Sequence, residues 1–141
     1  MEVSNEVWRS MLVMSNELGT PFILACLSDS RQPATNFATL ANSNISYFIG
    51  LDAVEAMPEL PLAGDRFLSI GRAPASKILT IQTNDVAAWT GKNHQGYGNV
   101  ALADGSVQQQ TSARIHSTVT NALRINWEAN TNATLRLAMP E

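Results

Sequence analysis

The dipeptide Asp104-Gly105 lies between two strand-like runs, Asn99-Val100-Ala101-Leu102-Ala103 and Ser106-Val107-Gln108-Gln109-Gln110. A two-residue connection of this kind selects a type I′ hairpin turn, which requires positive φ at both central positions. The chain therefore has to fold back antiparallel here, with Val100, Leu102 and Val107 directed to a core. Gly96 and Gly98 allow a tight backbone turn just before the hairpin. After it, Thr111 or Ser112 caps a helix running to about Ile125, with Ile115, Val119 and Leu123 on one face and Ala122 beside them.

Upstream, Val3, Val7, Met11, Met14 and Leu18 recur at helical spacing, and Trp8 and Leu12 widen the stripe. The pattern predicts a helix over Ser4 to Leu18, capped by Ser4 or Asn5 and stopped by Gly19 and Pro21. Phe22 to Leu27 is a continuous apolar run and reads as a buried strand. Asn36 to Leu40 reads as one helical turn. Asn44 to Leu51 is rich in β-branched and aromatic residues and reads as a strand. Pro58, Pro61 and Gly64 predict a loop. Phe67 to Ile70, Ile78 to Gln82 and Leu135 to Leu137 are further strand candidates. Together these predict an α+β fold of one domain, residues 1–141. An N-terminal helix packs on an antiparallel sheet of about four strands, and a second helix follows the hairpin.

Composition narrows the function. Apolar residues make up 45% of the chain and charged residues 15%, against about 25% charged in an average globular protein. The net charge is −3 with nine scattered Lys and Arg, so no basic surface exists to neutralise a nucleic-acid backbone. No apolar run is long enough to span a membrane, and no secretory signal opens the sequence. Cys26 is the sole cysteine. It sits in the run Ile23-Leu24-Ala25-Cys26-Leu27 with no charged neighbour to stabilise a thiolate, and reads as a buried structural thiol.

The stretch His94-Gln95-Gly96-Tyr97-Gly98-Asn99-Val100-Ala101-Leu102-Ala103-Asp104-Gly105-Ser106-Val107 places a histidine ten positions before an aspartate followed by glycine. It resembles the His-x9-Asp-Gly motif of pseudopilin-like proteins of planctomycetes and verrucomicrobia, members of the type II secretion and type IV pilin family. Tyr97, between Gly96 and Gly98, departs slightly from the usual glycine pair. Leu62 to Arg66, Tyr47 to Asp52, and Asn16 to Pro21 followed by the Cys26 run resemble the same family. The resemblance covers roughly residues 10 to 110. It implies a pilin-like fold and a structural subunit of a pseudopilus or pilus-like filament serving protein secretion. The implied partners are other pseudopilin subunits and the inner-membrane secretion machinery. The family also carries a cleavage site and an apolar helix of about twenty residues, the length a membrane span needs. Neither is in this sequence. The expectation is that residues 1–18 are the remnant of that helix. A full-length form would sit at the periplasmic face of the inner membrane or at the cell surface, anchored only through the missing helix, and this chain alone would be soluble.

His94 and Asp104 are the obvious pair for chemistry. Hydrolysis would also need a nucleophile or metal and an oxyanion site. The sequence has no nucleophile elbow, no His-Glu-x-x-His and no cysteine cluster. A non-enzymatic reading follows, in which His94, Gly96, Gly98, Asn99, Asp104 and Gly105 shape the hairpin and Asp65 a supporting turn, bonded to backbone N–H groups or paired with Arg66 or His94. His116, on the second helix, is expected to be half-exposed. The resemblance also raises calcium, which major pseudopilins bind through carboxylates and carbonyls; the candidates are Asp52, Glu55, Asp65 and Asp85, without EF-hand spacing. Otherwise no cofactor is expected. The alternative function is an extracytoplasmic ligand- or peptide-binding module near Trp89 and Tyr97. Trp8 and Trp127 fit core or edge packing, and Trp89 is the tryptophan whose exposure would favour this alternative.

Overall fold

The computed structural model describes residues 6–91, 93–131 and 133–141. The architecture is built mainly on antiparallel sheet, and one long helix lies near the C-terminus. The strands are β1 (Tyr47–Gly50), β2 (Pro61–Asp65), β3 (Leu68–Ser69), β4 (Ile78–Gln82), β5 (Ala88–Trp89), β6 (Tyr97–Leu102), β7 (Val107–Thr111) and β8 (Thr134–Ala138). Six of them form one sheet in the order β4-β8-β1-β2-β6-β7, and β3 pairs with β5 in a second, two-stranded sheet. The expected architecture, an N-terminal helix laid on a small sheet, is overturned. The N-terminal segment forms only α1 (Val7–Val13) and α2 (Ser15–Leu18). The dominant helix is α3 (Ser112–Asn130).

α3 follows from its sequence. The Thr111 hydroxyl accepts from the Arg114 N–H at 3.2 Å and caps the first turn. Ile115, Val119, Ala122 and Leu123 are buried against the sheet. They pack with Phe48, Leu60, Val100, Leu135 and Leu137 in the main core. Val7 and Met11 of α1 belong to a smaller cluster with Leu24, Ala34, Leu40, Ile45 and Ala138. Successive side chains of a strand point to opposite faces, so Leu137 faces α3 while Ala138 faces the N-terminal segment. The proposed caps Ser4 and Asn5, and Val3, lie outside the described residues.

Three local expectations are corrected. Phe22 to Leu27 is not a strand. Pro21 opens a short 3-10 turn, Pro21–Leu24, whose Phe22 N–H bonds the Thr20 hydroxyl; only Leu24 of the apolar residues there is buried, and Phe22, Ile23 and Leu27 are exposed. The Pro61–Gly64 stretch is not a loop but β2. Pro61 stands at the first position of the strand, where its missing N–H is tolerated. A Cβ at Gly64 would lie 2.6 Å from the Phe48 ring and 2.9 Å from the Asn99 carbonyl oxygen, so this glycine serves close packing. Third, the hairpin turn is not type I′. Gly105 has φ 84° while Asp104 does not enter the positive region. The Gly105 N–H bonds the Leu102 carbonyl and the Leu102 N–H bonds the Ser106 carbonyl. The loop thus has three residues, with glycine at the left-handed position. Ala101 then faces Val107. A two-residue turn would have set Leu102 opposite Val107. The one-residue change of register sends Val107 to the solvent face, 70% exposed.

The Trp89 ring lies directly on Gly98. A Cβ there would come within 2.3 Å of the indole. Trp89 is buried, so the exposure that a stacking platform needs is absent there. Gly98→Ala is expected to lower the urea midpoint, by about 1–3 kcal/mol of stability as overpacking does. Chemical denaturation followed by tryptophan fluorescence checks this.

Candidate functional site

Three segments distant in sequence meet at Cys26, Asp65 and His94. Cys26 follows the 3-10 turn at Pro21–Leu24, and its N–H bonds the Ser46 hydroxyl at 2.9 Å. Asp65 ends β2 and is 1% exposed. One of its carboxylate oxygens, Oδ2, accepts from the Asn99 backbone N–H at 2.7 Å and from the Asn99 side-chain amide at 3.1 Å. The other, Oδ1, is buried without a hydrogen-bond partner. His94 stands in the turn before β6. His94, Gln95 and Gly96 all have positive φ, 47°, 55° and 89°. Two consecutive non-glycine residues held left-handed cost energy that the surroundings must supply.

This turn carries the imidazole to its partners. His94 Nε2 is 3.5 Å from Cys26 Sγ and 3.5 Å from Asp65 Oδ2. The carboxylate partner of His94 is therefore Asp65. Asp104, the partner suggested by the motif, caps its own loop, accepting from the Ser106 N–H at 2.8 Å; the Ser106 hydroxyl and N–H hold its carboxyl below the usual range. The convergence on Nε2 argues against a Cys-His-Asp relay. A relay needs the thiol on one ring nitrogen and the carboxylate on the other. Here both face the same nitrogen.

A buried ion pair frames the cluster. Arg66, next to Asp65, forks onto Asp29 with contacts of 2.6 and 2.8 Å, and the Asp29 side chain is fully buried. Arg66 thus pairs with Asp29, not with Asp65. The Arg66 guanidinium, helped by the Ser46 hydroxyl, holds the Asp29 carboxyl down at about 2. Asp29 also donates its N–H to the Cys26 carbonyl at 2.9 Å, closing a turn around the thiol. Burial first, and then the nearby Asp65 and Asp29 carboxylates, push the Tyr47 hydroxyl up. Sequence reasoning passed over Asp29 as part of a polar turn. The Cys-x-x-Asp spacing was the only local signal.

The remaining sequence candidates stay apart from this cluster. Asp52 pairs with Arg136 at 2.6 Å, and Asp85 pairs with Arg72 and accepts from the Gln82 N–H at 2.7 Å. Among the described residues, Cys26, Asp65 and His94 form the one group of three metal-ligating side chains; Asp52, Glu55 and Asp85 join none. Gly98 seats Trp89, Gly105 completes the hairpin loop, and His116 is half-exposed on α3. No helix among the described residues is long and apolar enough to cross a membrane. No family model matches the chain, and neither a curated protein nor a solved structure shows significant similarity to it.

Because the Asp29 carboxyl lies below its ordinary 3.8, its contribution to stability is complete above that value and is lost as pH falls through about 2. The contribution is about 2 kcal/mol. Asp29→Asn is expected to be less stable than the parent by about this amount at neutral pH, with the gap closing towards pH 2. Urea titrations across that range measure it.

Proposed function

We infer that this chain is the folded, non-catalytic head of a pseudopilin-like filament subunit, acting by assembly with like subunits at a bacterial secretion machine. One observation carries the reading. The separate segments that resemble the family come together in space. β1, β2 and β6 are consecutive neighbours in the sheet. The Cys26 loop, the Gly-Asp-Arg corner and the His94 turn meet beside them through the contacts of His94 with Cys26 and Asp65. Residues scattered over most of the chain thus serve one structural knot.

The surface fits assembly. Leu12, Val13, Met14, Phe22, Ile23 and Leu27 are exposed along the N-terminal stretch of chain. Apolar side chains gathered in this way suit burial against a neighbouring subunit. The alternative of a binding module built on aromatic stacking has lost its best platform, because Trp89 is under 10% exposed, at 7%, and covered by Gly98.

The complete open reading frame, expressed in its native host, tests the proposal. Antibody to this domain should detect the protein in the membrane fraction and in sheared surface filaments, with a mature N-terminus created by prepilin-type cleavage upstream of Met1. Ile23→Asp should lower its recovery in filaments at least about tenfold, corresponding to about 1.4 kcal/mol of lost contact, with the domain's melting temperature unchanged. A protein that begins at Met1 and fractionates wholly with the cytosol would overturn the reading.

A further inference from the structure

The geometry points to a divalent-cation site of the zinc type formed by Cys26 Sγ, His94 Nε2 and a carboxylate oxygen of Asp65. Its first support is spacing. The Sγ–Nε2 and Nε2–Oδ2 distances are both 3.5 Å, and the three ligand atoms lie within 4.8 Å of one another. Zinc binds sulfur at about 2.3 Å and nitrogen or oxygen at about 2.0–2.1 Å. A tetrahedral ion therefore separates its ligand atoms by roughly 3.3–3.6 Å. The same distance is long for an imidazole–carboxylate hydrogen bond, whose ordinary range ends near ~3.2 Å.

The second support is the buried carboxylate. An ionised carboxylate taken out of water needs compensating charge or a full set of hydrogen bonds. Asp65 has Asn99 on one oxygen and nothing on the other. Among the described residues its only basic neighbour in ion-pair range is His94, since Arg66 is committed to Asp29. A cation shared with Cys26 and His94 supplies the missing charge.

The third is orientation. Ligands of a metal are usually held by further hydrogen bonds. Asn99 fixes the carboxylate twice over, the Ser46 hydroxyl holds the Cys26 backbone, and the left-handed turn aims His94.

The donor set decides the ion. One thiolate, one imidazole and one carboxylate suit zinc, whereas calcium takes six to eight oxygens. On binding, the Cys26 thiol releases its proton to solvent, His94 binds neutral through Nε2 and Asp65 binds ionised. Three protein ligands leave a fourth tetrahedral position for water or another donor. Half-exposed Cys26 and the 20% exposed His94 side chain open that position to solvent.

Cobalt(II), as a spectroscopic stand-in for zinc, tests the site on the reduced, purified chain. One equivalent should give a thiolate-to-cobalt charge-transfer band that zinc abolishes. Cys26 is the sole cysteine, so alkylation reports on it alone; excess zinc should slow that reaction at least about tenfold, because the metal-bound sulfur is a weaker nucleophile. Cys26→Ser and Asp65→Asn should each weaken binding by more than about tenfold, while His116→Gln binds like the parent. The alkylation experiment uses the unaltered chain and stands even where a variant fails to fold. Absence of the band together with unchanged alkylation in zinc would overturn the assignment, as would undiminished binding in folded Cys26→Ser. Both readouts use the isolated domain and do not depend on whether it assembles into filaments.

Discussion

A carboxylate buried as deeply as that of Asp65 sets conditions on everything near it, because removing a charge from water is costly unless other groups replace the lost hydration. Asn99 answers with two N–H donors, and that requires β6 to run beside the end of β2. The register places Gly64 opposite Val100. At position 64 a Cβ would collide with the Phe48 ring and with the Asn99 carbonyl oxygen. Glycine there lets the strand carrying Asn99 approach. One residue before Asn99, Gly98 gives its space to Trp89. Trp89 belongs to the main core, and its backbone N–H donates to the Ser112 hydroxyl. The buried acid, two glycines and a tryptophan thus tie β2, β5, β6 and the start of α3 into one arrangement.

The sheet order carries a second constraint. β8, near the C-terminus, lies between β4 and β1, and its register with β4 runs unbroken from Ile78↔Ala138 to Gln82↔Thr134. Pairings so distant in sequence must close large loops before they are rewarded. α3 shortens the search. It connects β7 to β8, and its Asn126 side chain donates to the Thr134 carbonyl at 2.8 Å. The helix and the strand that follows it therefore dock together, with Ile115, Val119 and Leu123 meeting Leu135 and Leu137 in the main core.

Where structure is governed by local periodicity, the sequence was a sound guide. The apolar face of α3 and the bounds of β4 follow from residue type and spacing alone, and the strand expected over Asn44 to Leu51 is present in shorter form as Tyr47–Gly50. Reading failed where tertiary contact overrides local chemistry. Pro61 and Gly64 are turn residues by composition, yet a bulge between Pro61 and Ala63 and the need for close approach put both in a strand. The Phe22–Leu27 run is apolar enough for a core strand, but Pro21 and the Thr20 hydroxyl start a 3-10 turn and leave most of it in solvent. Asp-Gly announced a hairpin correctly and its loop length incorrectly, and one residue of register moved Val107 across the sheet. The candidate site was half legible. His94, Asn99 and Asp65 were marked out by their motifs, but Cys26 looked inert because His94 and Asp65 reach it only through the fold.

The space around Cys26 has an outer, apolar side as well. Phe22, Ile23 and Leu27 flank Cys26 in one short loop, and all three side chains face solvent. The loop is held from beneath by the Asp29–Arg66 pair and the Ser46 hydroxyl. Its apolar side chains consequently project outward while its thiol turns inward to His94 and Asp65. On the proposed reading, a subunit seated on those apolar side chains would cover the loop that supplies the thiol and would narrow solvent access to the cluster. Excluding water strengthens every charge interaction within the cluster.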